Sequence, residues 1–291
     1  MKNTALALLF VLIWTSAFPA AKLGLLHSPP LLFLSVRFLI AGALILVWAQ
    51  WQGRCMRLNR RDFWVVLVLG LFNHALYLGL SWTGMTRLSS GLSTIIISAN
   101  PIVVAILSSW LLRESLTLQK VLGLMMGFLG VAYIVRSRLG SDLDSGQGFI
   151  LVLCALFTMA LGTVLYKRWP VKPDVVTSTG YQILLSGLVL LPLALCLEES
   201  QEMHLTPRFV AALAWLVVVV SIVGYQLWFN MLERGSASAA SVWMFLCPPL
   251  GLLAGSCLLD EPVQALDFVG IVPVIAGIAM VTLAPHKKSG P

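Results

Sequence analysis

The 291-residue sequence predicts an all-α integral membrane protein, with ten transmembrane helices arranged as two inverted five-helix repeats. Three observations carry that expectation. Hydrophobic residues make up 59% of the chain and charged residues 11%, with a mean hydropathy of +0.92, whereas soluble domains are about 25% charged. Apolar segments of spanning length, about 20 residues each, follow one another along the whole chain and leave no room for a separate water-soluble domain. A short polar break is also written twice, as "WLLRESLTLQKVLGL" at 110–124 and "CLLDEPVQALDFVGI" at 257–271.

Spans are expected near 5–25, 31–50, 63–84, 90–112, 118–136, 148–167, 178–197, 208–232, 238–258 and 265–284. The first follows Lys2 and ends among small residues, as a signal peptide does. Its apolar stretch outruns a short h-region and similar segments follow, so it is expected to be retained as a span. The breaks carry turn chemistry: "HSPP", "GRCMRLNRRD", "RLGSDLDSGQG" and "EESQEMHLTPR" follow spans one, two, five and seven. Basic residues gather in alternate connections, notably Arg54, Arg57, Arg60 and Arg61, then Lys167, Arg168 and Lys172. That bias predicts both termini on the cytoplasmic side, and it accounts for the net charge of +7 without nucleic acid. Glu198, Glu199 and Glu202 then face outward. The five cysteines show no metal-ligand spacing such as C-x-x-C, so free thiols are expected.

Placing Glu114 over Glu261, a shift of 147 residues, aligns Arg87 with Arg234, Pro101 with Pro248, Leu112 with Leu259, Gly123 with Gly270 and Gly130 with Gly277. The chain therefore divides into five-helix units at 1–140 and 146–286. Because five is odd, the second unit enters the membrane from the opposite side, giving a pseudo-two-fold axis in the membrane plane. Two such halves can open a central site to either side in turn, which points to transport.

The stretches "LLFVLIWTSAFPAAKLGL" and "SVRFLIAGALIL", the block from 75 to 135 and its echo at 224–282 resemble the EamA-type branch of the drug/metabolite transporter superfamily. The resemblance spans essentially the whole chain and rests on the ordered set Trp14, Lys22, Arg37, Pro101, Glu114 and Gly123 with their second-half counterparts. It implies ten helices, cytoplasmic termini, a bacterial inner-membrane location and export or exchange of small polar metabolites, commonly amino acids and their derivatives. The alternative cargo is drugs or nucleotide-like metabolites.

Candidate substrate-binding residues follow from polar and aromatic groups inside spans. His74 and its neighbour Asn73 interrupt an apolar helix, and His74, Tyr77 and Ser81 share one side of it. The shift of 147 carries His74, Leu78 and Ser81 to Ser221, Tyr225 and Trp228, and the two faces are expected to meet near the axis. Trp14 and Phe18 on span one, Asn100 beside Pro101, Tyr181 on span seven and Trp243 on span nine extend the set. Aromatic walls with a few hydrogen-bonding groups suit a zwitterion with an apolar side chain. For Arg37 and Lys22 a structural role at a helix end is expected ahead of neutralising a substrate carboxylate. Glu114 and Glu261 are expected to cap the helices that follow them, spans five and ten. The Gly123/Gly127 and Gly251/Gly255 pairs permit close helix approach, within one chain or in a dimer, so a monomer and a homodimer both fit. Pro101, Pro248 and Pro249 predict kinks.

No Asp or Glu falls mid-span, which leaves His74 as the titrating candidate and favours a facilitator or exchanger over a proton-driven pump. Clustered carboxylates, a G-x-S-x-G serine and an ATP-binding loop are all missing from the sequence, so neither an enzyme nor a primary pump is expected, and no cofactor or metal. A non-transporting sensor is the remaining rival. The partners expected are the bilayer and a small-molecule substrate.

Overall fold

The structure is a computed structural model that describes residues 2–88, 90–136, 145–198, 202–251, 253 and 269–284. Among these every regular element is helical. We number the helices α1 (Lys2–Leu25), α2 (Pro30–Trp51), α3 (Arg60–Met85), α4 (Leu92–Leu111), α5 (Leu118–Val135), α6 (Gly146–Arg168), α7 (Val175–Leu197), α8 (Pro207–Arg234), α9 (Ala237–Gly251) and α10 (Ile271–Thr282). Helices α1 to α8 are long and apolar enough to cross a membrane, whereas α9 and α10 are shorter apolar helices. Trp51 and Trp110, at helix ends, are 85% and 84% exposed. Soluble monomers keep such apolar surface small, whereas a bilayer covers it and indoles favour its interface.

Local chemistry starts the helices where the turn signals stand. Asn59, Thr117, Ser145, Asp174, Thr206 and Ser236 each accept a backbone N–H from the first turn of α3, α5, α6, α7, α8 and α9. Helix α2 opens on Pro29 and Pro30 and has no such cap. There Glu198, from the end of α7, accepts the Leu31 and Leu32 N–H groups at 2.6 and 2.9 Å.

Asp174 also accepts from Arg54 Nη1 at 2.6 Å, which joins the α2–α3 connection to α7. Burial alone would raise its carboxyl, but hydrogen bonds from Thr177, Arg54 and the Val176 N–H outweigh it and hold the group below the usual range. A carboxylate lowered on folding adds stability above its unfolded value, about 3.9, and loses it as pH falls through the folded value. Asp174→Asn is therefore expected to melt below the native protein at pH 7, with the two curves converging once the pH has fallen through the folded carboxyl's lowered range. Thermal melts in detergent across that range test this, and a gap that persists at the acid end would refute it.

Helix α2 packs along α7 and α5 along α10, with α3 against α6 and α1 along α8. The α5–α10 contact is made of glycines. A Cβ on Gly123 would lie 2.8 Å from the Gly277 carbonyl oxygen, one on Gly130 2.7 Å from that of Gly270, and one on Gly270 2.8 Å from that of Gly130. Gly127 lies under the Phe245 ring. The first glycine pair thus works within the chain. Among the described residues Gly251 has only Thr15 near it, at 3.9 Å, and Gly255 lies outside them.

Four helices depart from regular α geometry. The α3 backbone widens into a π turn at Leu71–Leu76, and α8 does so at Leu216–Gly224. Helix α4 breaks at Ala99, just before Pro101, and α9 tightens into a 3₁₀ stretch at Val242–Leu246, just before Pro248. The expected proline kinks are therefore a break and a tightened turn, because proline has no N–H for the preceding turn. Each pair of irregularities falls at positions related by the shift of 147.

Glu114 differs from its expected role. Thr117 caps α5 locally, and the backbone at Arg113, with φ 56°, turns the chain away. Glu114 instead accepts the Ala237 N–H at 2.8 Å and the Ser238 hydroxyl at 2.7 Å, so it closes the start of α9. Its counterpart Glu261, together with Leu259, Cys257 and Glu199, lies outside the described residues. Cys55, Cys154, Cys196 and Cys247 are free thiols.

Candidate functional site

The π turns of α3 and α8 set the centre. A π turn adds a residue to one helical turn, shifts the side chains beyond it and recurs at functional positions. In α3 it carries Asn73 and His74, and in α8 Ser221. Gly162 on α6 leaves room for the Asn73 side chain, which a Cβ there would meet at 2.5 Å.

His74 is fully buried. Its ring lies edge-on to Tyr225, with centroids 4.3 Å apart, and beside Phe38 and Phe229 at 5.8 and 6.1 Å. Trp14 meets Tyr225 edge-on at 5.2 Å, and Phe10 stacks on Trp228 at 5.2 Å. Tyr166 stacks on Phe229 at 4.3 Å. Quadrupole-favoured edge and offset contacts lock these rings, so the polar atoms among them hold fixed positions. The two helical faces read from the repeat are thus brought together at His74 and Tyr225.

Those polar atoms are unsatisfied. Both ring nitrogens of His74, the Tyr225 hydroxyl and the Asn100 carbonyl oxygen are buried without a hydrogen-bond partner among the described residues. Buried polar groups are nearly always paired, and each orphan costs roughly 1–3 kcal/mol. Hydrogen-bonding capacity left open side by side on His74 and Tyr225 is what a site for a polar solute or water requires. Tyr77 is buried in the same core, and Asn100 donates to Met244 Sδ at 3.5 Å across to α9.

The remaining predicted residues are placed differently. Ser81 is buried but directs its hydroxyl along its own helix to Met85 Sδ at 3.7 Å. Phe18 is 42% exposed and takes no part in the ring cluster. The Tyr181 hydroxyl donates to the Met56 carbonyl at 2.8 Å, which anchors the α2–α3 connection. Trp243 lines a mostly apolar crevice of about 910 Å³ between α1, α8, α9 and α10, whose walls include Leu12, Arg234 and Ile278 but none of the His74 cluster.

Arg37 was not among the predicted site residues. It is 2% exposed, two turns inside α2, and its Nε donates to Ser221 Oγ at 3.0 Å. A role at a helix end does not fit this position. The available signal was that Arg37 is the one basic residue well inside a span, and intramembrane charges concentrate at pathways.

Apolar helices long enough to span a bilayer, closed around a small polar centre, define a polytopic membrane protein of the transporter class. The sequence profile of the EamA-like transporter family matches residues 1–136 and again 146–283. An uncharacterized transporter of Bacillus subtilis, YvbV, is 32% identical over 96% of this chain and 91% of its own. A probable amino-acid metabolite efflux pump of Salmonella typhimurium is 26% identical over 95% of this chain and 93% of its own. A solved crystal structure shares the fold with a TM-score of 0.82 at 18% identity, covering 97% of this chain and 96% of that one. The chain belongs to the EamA-like transporter family, the EamA-type branch of the drug/metabolite transporter superfamily, and is a multi-pass membrane transporter.

Proposed function

We propose that the protein moves small polar metabolites, amino acids or their derivatives, across the bacterial inner membrane by alternating access at the His74–Tyr225 centre. The observation that carries this reading is the pair of polar groups on His74 and Tyr225, unpartnered among the described residues and held among aromatic rings. The Salmonella relative's name points to the same cargo class. Ten spans in two inverted units, 1–140 and 146–286, with both termini cytoplasmic, supply the mechanism: the halves rock about the centre and expose it to each side in turn. Support for the duplication comes from the paired π turns, the paired distortions before Pro101 and Pro248, and the reciprocal glycine contacts of α5 with α10. The family and its relatives are named as transporters, and catalysis is no part of the proposal.

Purified protein in liposomes, offered a mixed pool of amino acids and related metabolites with mass-spectrometric readout, tests this. Uptake of one chemical group above empty liposomes is expected without a pH gradient. His74→Ala and Tyr225→Phe are each expected to lower it about tenfold or more, since each removes hydrogen bonds worth roughly 1–3 kcal/mol. Folded protein that moves none of the pool, or variants that move it undiminished, would refute the reading.

A further inference from the structure

Arg37 has four N–H donors beyond Nε, all on its terminal nitrogens. Its only hydrogen bond among the described residues is the one from Nε to Ser221. No carboxylate of the described residues pairs with it. The Phe38 ring centroid is 5.4 Å from the guanidinium carbon and 5.8 Å from the His74 ring centroid. A buried guanidinium without a counter-ion is strongly unfavourable, by several kcal/mol in real proteins. Its retention two turns inside a span calls for an anion that arrives from outside the chain for part of the working cycle.

The geometry points to Arg37 as the anchor for the carboxylate of the transported solute, so that the site recognises the acid rather than the amine. This rests on the central-site reading proposed above. The planar fork of a guanidinium matches the two oxygens of a carboxylate, and with Nε held by Ser221 the terminal nitrogens are presented in a fixed plane. The His74 ring lies 5.8 Å from the Phe38 ring that the guanidinium itself sits against, and 4.3 Å from Tyr225, so the polar atoms of both, unpartnered among the described residues, are placed to complete the bonding of the bound group. Trp14, Phe38 and Trp228 supply walls for an apolar body.

Among the described residues no buried carboxylate lies at this centre to receive an ammonium group. The one fully buried carboxylate among the described residues is Asp62, at the first turn of α3, where Asn59 holds it. A single permanent cation also suits a monoanion better than a phosphate dianion, for which basic residues usually cluster. The substrate class is therefore a monocarboxylate with a compact apolar body, α-amino acids included, with amines and organic cations excluded.

Matched probes separate the two ends of the solute. Phenylalanine, leucine, 3-phenylpropionate, phenylalaninamide and phenethylamine are titrated against the detergent-purified full chain, with binding read by tryptophan fluorescence and thermal shift. At least one acid of the set is expected to bind, with its amide or amine about 30-fold weaker or more. Arg37→Met is expected to erase that preference, and Arg37→Lys, which keeps the charge but not the fork, to retain part of it. Equal binding of acid and amide by the native protein overturns the proposal, as does a folded Arg37→Met protein that keeps the preference, or no binding by any acid. If Arg37→Met fails to fold, the native protein's comparison of acid with amide still decides. His74→Ala and Tyr225→Phe distinguish the two levels. If they weaken acid binding and Arg37→Met does not, the anchor is wrong and the site stands; if neither weakens it, the site itself is wrong.

Discussion

Gly277→Val is expected to abolish most of the folded yield, and Gly277→Ala to lower thermal stability clearly. A Cβ at Gly277 would collide with the Gly123 carbonyl oxygen and lie 2.7 Å from the Gly127 nitrogen. Both are backbone atoms inside a helix, so no side chain can rotate aside and α5 and α10 must separate. Overpacking of this kind costs about 1–3 kcal/mol for a single methyl, and valine adds two more carbons. Separation would also loosen the cluster of Leu124, Val131, Ile134, Val274, Ile278 and Val281 between the same helices. Size-exclusion profiles and thermal melts of the two variants measure the effect. Gly146→Ala, at a position with nothing within 4 Å of the added methyl, is the control and should behave as the native protein. A Gly277→Val protein that elutes and melts normally would mean that the two helices do not approach through their glycines.

The second large effect is expected at Glu114. Its carboxylate accepts the Ala237 N–H and the Ser238 hydroxyl, and the Ser238 N–H at the longer distance of 3.4 Å. Alanine would leave the first turn of α9 without these partners, where a negative charge is also favoured by the helix dipole. The loss should be roughly 1–3 kcal/mol, because donors to a charged acceptor are among the stronger hydrogen bonds. Glu114→Ala is therefore expected to lower folded yield and melting temperature while affinity for the solute stays within about threefold, since the residue lies outside the His74 cluster. Glu114→Gln, which keeps an acceptor without the charge, should recover part of the stability. Unchanged yield with lost affinity would place Glu114 in the transport path instead.

How these residues divide between sequence and structure has physical causes. Helix starts were readable because capping is local: Asn59, Thr117, Ser145, Asp174, Thr206 and Ser236 stand within three residues of the donors they satisfy. Glu114 was readable as a cap but not as a cap of α9, because that contact joins residues 123 apart in the chain. Phe18 and Tyr181 share the chemistry of the central rings, and only packing sends one outward and the other to Met56. Arg37 invited a helix-end reading by its place in α2, while its partner Ser221 lies 184 residues away.

The sequence by itself determined that the chain is a multi-pass helical membrane protein, because hydropathy, turn residues and caps act over a few neighbouring positions, and its resemblance to the EamA type rests on the ordered motif residues along the chain. It also singled out His74 and Tyr225, since a polar group inside an apolar span stands out from its neighbours. Tertiary structure decided the rest: the π turns that aim His74 and Ser221, the glycine contact of α5 with α10, and the meeting of Arg37 with Ser221. Each of these depends on which helices lie side by side, and the distance between helices is set by side chains from both partners at once.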